Sequence, residues 1–220
     1  MRRDAGGSET KSRLLAEAAS LMARNGIYQV TNREIIEAAG QRNTSALSYY
    51  FGSRDALLLA IIAVHGPPLD QHRGQLGIGI DAESPTDVLI ATLLIPYGGC
   101  LFSASGRDYV QIIDQLRGQF GDWRSGPASS ETNLQRVLQL IGDRPADSLP
   151  EIRHERLIAM MTLMTAMVAD RARAIEAGQA PTTGHEQFLS NLVAMLVGVI
   201  ETPTRLLGVA QEAPQDLAAR

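Results

Sequence analysis

Residues 31–58 read TNREIIEAAGQRNTSALSYYFGSRDALL, which is the pattern of two short helices around a tight turn with a third helix following at once. Thr31 and Glu34 make a capping box: the threonine hydroxyl accepts from the Glu34 backbone N–H, and the Glu34 carboxylate reaches back to Thr31. Ile35, Ile36, Ala38 and Ala39 supply an apolar face, and Gly40 stands where a left-handed residue ends a helix. After the polar residues 41–43, Asn43 or Thr44 caps a second helix, with Ala46, Leu47, Tyr50 and Phe51 inward and Thr44, Ser45, Ser48 and Tyr49 outward. Ser53 caps a third, whose Leu57, Leu58, Ile61 and Ile62 recur at three- and four-residue intervals. Three helices this close together must share one small core, which is the layout of a helix-turn-helix DNA reader.

The same spacing suits a compact helical bundle that makes only protein contacts. Charge favours nucleic acid. Residues 1–55 carry eight basic and six acidic side chains, whereas the remainder carries twelve and eighteen within a net charge of −4. A basic N-terminal part on an otherwise acidic chain is the asymmetry a DNA-facing domain needs.

The motif resembles the TetR family of bacterial transcriptional regulators. AAG at 38–40, YYF at 49–51 and SRDALL at 53–58 carry the likeness, and the QRNxSAxxYxFGSR form marks one branch of that family. Here Gln41, Arg42 and Asn43 replace the usual short turn, and Tyr50 stands where histidine or tyrosine is common. Upstream, residues 12–25 followed by Gly26 resemble the family's first helix, so the likeness extends over residues 8–65. It implies a DNA-binding domain at 1–53 and a larger helical regulatory and dimerisation domain at 54–220. It also implies a homodimer on a near-palindromic double-stranded operator, a repressor released by a small-molecule effector, and pairing through the last two long helices.

Within that reading, Thr31, Arg33, Tyr50 and Arg54 are placed for phosphate contacts, since hydroxyls, guanidinium groups and helix N-termini position a reader without reading sequence. Thr44, Ser45, Ser48 and Tyr49 are the candidates for base edges, with Arg42 and Asn43 beside them in the turn.

The remaining composition narrows the function classes. A hydrophobic content of 45% is enough to bury an ordinary core, so disorder is not expected. One cysteine, Cys100, makes no internal disulfide, and His65, His72, His154 and His185 are dispersed, so neither metal nor cofactor is expected. No paired nucleophile and base, phosphate loop or carboxylate pair stands out, and Gly77-Ile78-Gly79 lacks the context of a dinucleotide site. The chain does not read as an enzyme; a ligand-binding helical protein or an enzyme without an operator is the alternative. The start carries no signal pattern, and the longest apolar run, residues 192–200, is well short of the roughly 18–20 residues a bilayer span needs. A cytoplasmic protein is expected.

No period-two pattern competes with helix anywhere, and the chain reads as all-α with about nine helices. Gly66, Pro67 and Pro68 are expected to interrupt or end the fourth helix, which resumes over 69–76. Ser84 to Asp87 opens a helix through about Tyr97, another spans about 107–120, and a third spans 131–141. Capping boxes at Ser148 with Glu151 and Thr183 with Glu186 open the two closing helices. The last helix is apolar over an arc wider than one domain face needs, which points to a dimer surface at Met160, Met164, Met167, Leu189, Leu192, Val193, Leu196 and Ile200. Tyr97, Phe102, Tyr109, Ile113, Phe120, Trp123, Met160 and Met164 are the candidates for an adaptable apolar ligand pocket, and the same residues at helical spacing suit plain core.

Overall fold

Helix starts in the N-terminal quarter are set by local side chains. In the computed structural model, which describes residues 3–116 and 131–203, Thr31 caps α2 (Asn32–Ala38) with both halves of the predicted box formed. Ser53 caps α4 (Arg54–Leu76) by accepting from the Ala56 N–H. Between them α3 (Ala46–Phe51) has Ser45 at its N-cap and no side-chain cap. The expected cap from Asn43 or Thr44 is displaced: the Asn43 carboxamide oxygen instead accepts from Ser45 N–H at 3.0 Å, a local turn that ends just before the helix. Gly40, at φ +66°, takes the left-handed position after α2. Gln41 N–H closes back on the Ile36 carbonyl at 2.9 Å, so the chain reverses within one residue.

The described residues hold nine α-helices and one short 3-10 turn, with no strand. Preceding α2 is α1 (Arg3–Asn25); following α4 are α5 (Thr86–Gly99), the 3-10 turn Cys100–Phe102, α6 (Ala104–Gln115), α7 (Thr132–Gly142), α8 (Pro150–Glu176) and α9 (His185–Glu201). No described helix is long and apolar enough to cross a membrane.

Two apolar clusters divide the molecule. Leu14, Met22, Ile35, Leu47 and Leu57 centre the first, which α6 enters through Ile112. The second gathers α5 to α9 around Leu89, Leu93, Ile141, Met160 and Leu192. The α4 helix serves both, giving Leu57 and Ile61 to one and Leu69 to the other.

Contrary to expectation, α4 runs unbroken through Pro67 and Pro68. Two prolines remove two backbone donors, and tertiary contacts one turn later hold the helix in their place. Asp70, buried, accepts from Asn133 N–H at 3.2 Å and Leu134 N–H at 2.8 Å, so a carboxylate of α4 caps the start of α7. Arg73, also buried, pairs with Glu131 at 3.1 Å. These contacts link residues about sixty positions apart, which local sequence does not report.

The two late capping boxes do not form. Pro150 occupies the first turn of α8, which puts Leu149 rather than Ser148 at the N-cap. Gly184 is the N-cap of α9, and the carbonyl of Thr183 is held by Arg171 at 2.7 Å instead. At α5 the cap is Pro85, while the Ser84 hydroxyl turns back to the Asp81 carboxylate at 3.0 Å.

Candidate DNA-reading surface and effector core

The outer side of α3 is exposed along its length: Thr44, Ser45, Ser48 and Tyr49 all face solvent, as do Arg42 and Asn43 in the preceding turn. Tyr49 is 80% exposed, an extreme for an aromatic side chain, and its ring meets Tyr50 edge-on at 5.0 Å. Tyr50 is half-buried and Ala46 and Leu47 are buried, so the helix sits firmly on the N-terminal core while the opposite side stays open. Lys11 of α1 lies 5.7 Å over the Phe51 ring, which brings a cation to the end of α3.

At the start of α2, Thr31 and Arg33 are exposed. The Thr31 hydroxyl and N–H both donate to the Glu34 carboxylate at 2.7 Å. Those bonds hold the Glu34 carboxyl below its ordinary range, the backbone N–H contributing most. Arg33 pairs with Glu37 at 2.7 Å on the surface, a solvated pair of the kind that adds little to stability. Arg54 differs from the other predicted phosphate ligands. One guanidinium nitrogen donates to the Ile27 and Val30 carbonyls, each at 2.6 Å, and the other to the Asn32 side chain at 3.1 Å. All of these bonds are internal.

The predicted pocket residues separate. Tyr97, Tyr109, Met160 and Met164 are buried in the C-terminal cluster with Ile113 packed against it. Tyr97 and Tyr109 meet edge-on at 6.3 Å, the Tyr97 hydroxyl donates to the Val110 carbonyl at 3.3 Å, and His65 of α4 stacks on Tyr109 at 5.0 Å. Burial pushes both tyrosine hydroxyls up and raises the nearby Cys100 thiol to about 11, so all three are uncharged. Phe102 is not part of this group. It is exposed and leans on His185 at 4.5 Å, beside an open groove of about 420 Å³ lined by Leu101, Arg171, Ile175 and residues 181–185. Phe120 and Trp123 lie outside the described residues.

Of the predicted dimer residues, Met160, Met164, Leu189, Leu192, Leu196 and Ile200 are buried within the protomer, and Met167 and Val193 are half-buried. Packing on α5 and α8 covers Leu189, Leu192, Leu196 and Ile200 of the wide apolar arc of α9, and leaves Val193 and Val197 half-buried and Met195 exposed. The residues that α8 and α9 present outward include Ile158, Ala159, Ser190, Ala194, Met195 and Gly198, beside the polar His154, Glu155, Gln187 and Asn191.

Sequence reading passed over Gln115, whose carboxamide grips the end of α1 and the loop after it. Its partners lie about ninety residues away, and no local pattern marks them.

Residues 14–61 match the family model of bacterial regulatory proteins, tetR family. No curated protein matches the chain significantly in sequence. Among solved structures, the fold is similar to the probable transcriptional regulatory protein RHA5900, with 16% identity, a TM-score of 0.56, and 88% of this chain and 100% of that one covered. It is similar also to NalD, the secondary repressor of the MexAB-OprM multidrug efflux pump in Pseudomonas aeruginosa, with 14% identity, a TM-score of 0.55, and coverage of 90% and 98%. A putative TetR-family transcriptional regulator from Rhodococcus sp. aligns at 18% identity with a TM-score of 0.51 over 88% and 100% of the two chains.

Proposed function

We propose that this chain, whose residues 14–61 match the family model of bacterial regulatory proteins, tetR family, is a dimeric, operator-binding repressor whose C-terminal domain takes a small-molecule effector. The observation that carries the reading is the open side of α3, where Ser48 and Tyr49 stand exposed on a helix seated by buried Ala46 and Leu47, with exposed Thr44 and Ser45 in the turn at its start. Hydroxyl groups donate to or accept from base edges, and an aromatic edge or threonine methyl meets a thymine methyl. Thr31 and Arg33 at the α2 N-terminus supply phosphate contacts that fix register.

Pairing two such readers calls for a dimer, and we assign it to the outward side of α8 and α9 at Ile158, Ala159, Ala194, Met195 and Gly198, where small residues allow close helix approach. The buried group of Tyr97, Tyr109, Ile113, Met160 and Met164 is the place we assign to the effector, because methionine repacks around varied shapes. An effector releases DNA only to the extent that it binds the non-reading conformation more tightly.

Selection from random-sequence DNA tests the central reading. The expected product is a two-fold symmetric site whose half-site centres lie about 34–36 Å apart or a multiple of that. Recovery of no common sequence overturns the function.

A further inference from the structure

The corner joining α1 to α2, residues 26–30, is held from two sides by side chains that belong to neither helix. Gly26 turns the chain at φ +102°, and Ile27 and Val30 bury their side chains in the N-terminal core. The backbone groups left over are met from outside. Gln115, the last residue of α6, accepts from the Ile27 N–H at 2.8 Å and donates to the Met22 and Ala23 carbonyls at 3.1 and 3.2 Å. Arg54, the first residue of α4, takes the Ile27 and Val30 carbonyls at 2.6 Å each and the side chain of Asn32, the first residue of α2, at 3.1 Å.

We infer that Gln115 is a positioning residue for DNA reading, a residue of the C-terminal domain that sets the direction of α2 and thereby the seat of α3. A primary amide carries one acceptor and two donors, and here those face one N–H and two carbonyls. Its mount is rigid, because Ile112, one turn earlier on α6, is fully buried in the N-terminal core. On the same turn, Asp114 pairs with Arg173 of α8 at 3.3 Å, so the end of α6 is fixed against the C-terminal domain as well. Gln115 lies at the surface with its three bonds part-buried, so they add a modest amount to stability. What they fix is geometry: α2 begins two residues beyond Val30, and only the Gly40 turn and residues 41–45 separate it from α3.

This inference rests on the DNA-reading function proposed above, and the test separates the two. A duplex selected by the wild-type full chain and a scrambled duplex are each titrated with wild type, Gln115→Met and Gln115→Glu at several salt concentrations. Methionine keeps the length and loses every hydrogen bond; glutamate keeps an acceptor and loses both donors. Both variants are expected to bind the selected duplex about tenfold more weakly, the size of one net hydrogen bond expressed as affinity. In Gln115→Met the affinity for the scrambled duplex and the salt slope stay at wild-type values, the melting temperature falls by no more than a few degrees, and the Ile27 amide exchanges its hydrogen faster. A merely structural role lowers both affinities together. That result, or wild-type affinity in Gln115→Met, overturns the inference and leaves the function standing. A wild-type chain that enriches no duplex overturns both.

Discussion

Tyr49 spends almost none of its ring on the fold, being 80% exposed on the outer side of α3. Removing it therefore costs little stability and most of whatever it contributes to reading. Tyr49→Ala is predicted to melt within about 0.5 kcal/mol of wild type and to lose about 1–3 kcal/mol of discrimination for the selected duplex, measured by thermal unfolding and competition binding. Arg54 calls for a different outcome. Its guanidinium is committed to Ile27, Val30 and Asn32, so Arg54→Met should weaken DNA binding with the salt slope unchanged; a phosphate ligand would reduce the slope by about 0.9 instead. From the sequence the two roles looked alike, because an arginine at a helix start in a DNA-reading motif suits either, and its carbonyl partners lie more than twenty residues upstream. Asp108 on α6 offers a pH test. Burial first and the Glu176 carboxylate second push its carboxyl up to about 6, against the opposing pull of Arg24 and Arg107. The folded state thus favours the protonated acid, and the stability this lends in acid is lost as pH rises from the ordinary carboxylate range through about 6. Asp108→Asn should accordingly melt above wild type at pH 8, with the gap closing as pH falls toward 4; a pH-independent gap would contradict that origin.

Helix ends were legible where capping group and partner lie within one turn and nothing competes for them, as Thr31 with Glu34 and Ser53 with Ala56 show. They were misread where a second local constraint competes, as Pro150 does at α8, or where a distant side chain takes the group, as Arg171 takes Thr183 at α9. The unbroken α4 was the largest departure, since proline chemistry argues for a stop and only the Asp70 and Arg73 contacts across to residues 131–134 explain why none occurs. Glycines near the start of α6 give a matched pair of predictions. A Cβ on Gly106 would stand 2.2 Å from the Cys100 carbonyl oxygen, a backbone atom with nowhere to go, whereas one on Gly99 meets nothing within 4 Å. Gly106→Ala is expected to cost about 1–3 kcal/mol through overpacking. Gly99→Ala, at ordinary helical φ of −60°, should gain about 0.5–1 kcal/mol from reduced chain freedom. Chemical denaturation of the two variants checks the opposite signs.

Across the whole molecule, the all-helical class and the helix-turn-helix were readable because both rest on periodicity and turn chemistry within short windows. The outward residues of α8 and α9 were not, because apolar stripes look the same whether they meet the protomer's own core or a partner. Leu192 and Leu196 meet the core, whereas Ala194 and Gly198 face outward. Ala194→Arg is therefore predicted to yield a folded monomer by analytical ultracentrifugation; a persisting dimer would place the interface elsewhere. Whether this chain reads DNA sequence through α3 is decided by fluorescence anisotropy on the selected duplex against excess scrambled competitor, between about 50 and 200 mM salt. Tight binding that survives the competitor while weakening steeply with salt is the expected result. Equal affinity for the two duplexes would contradict it.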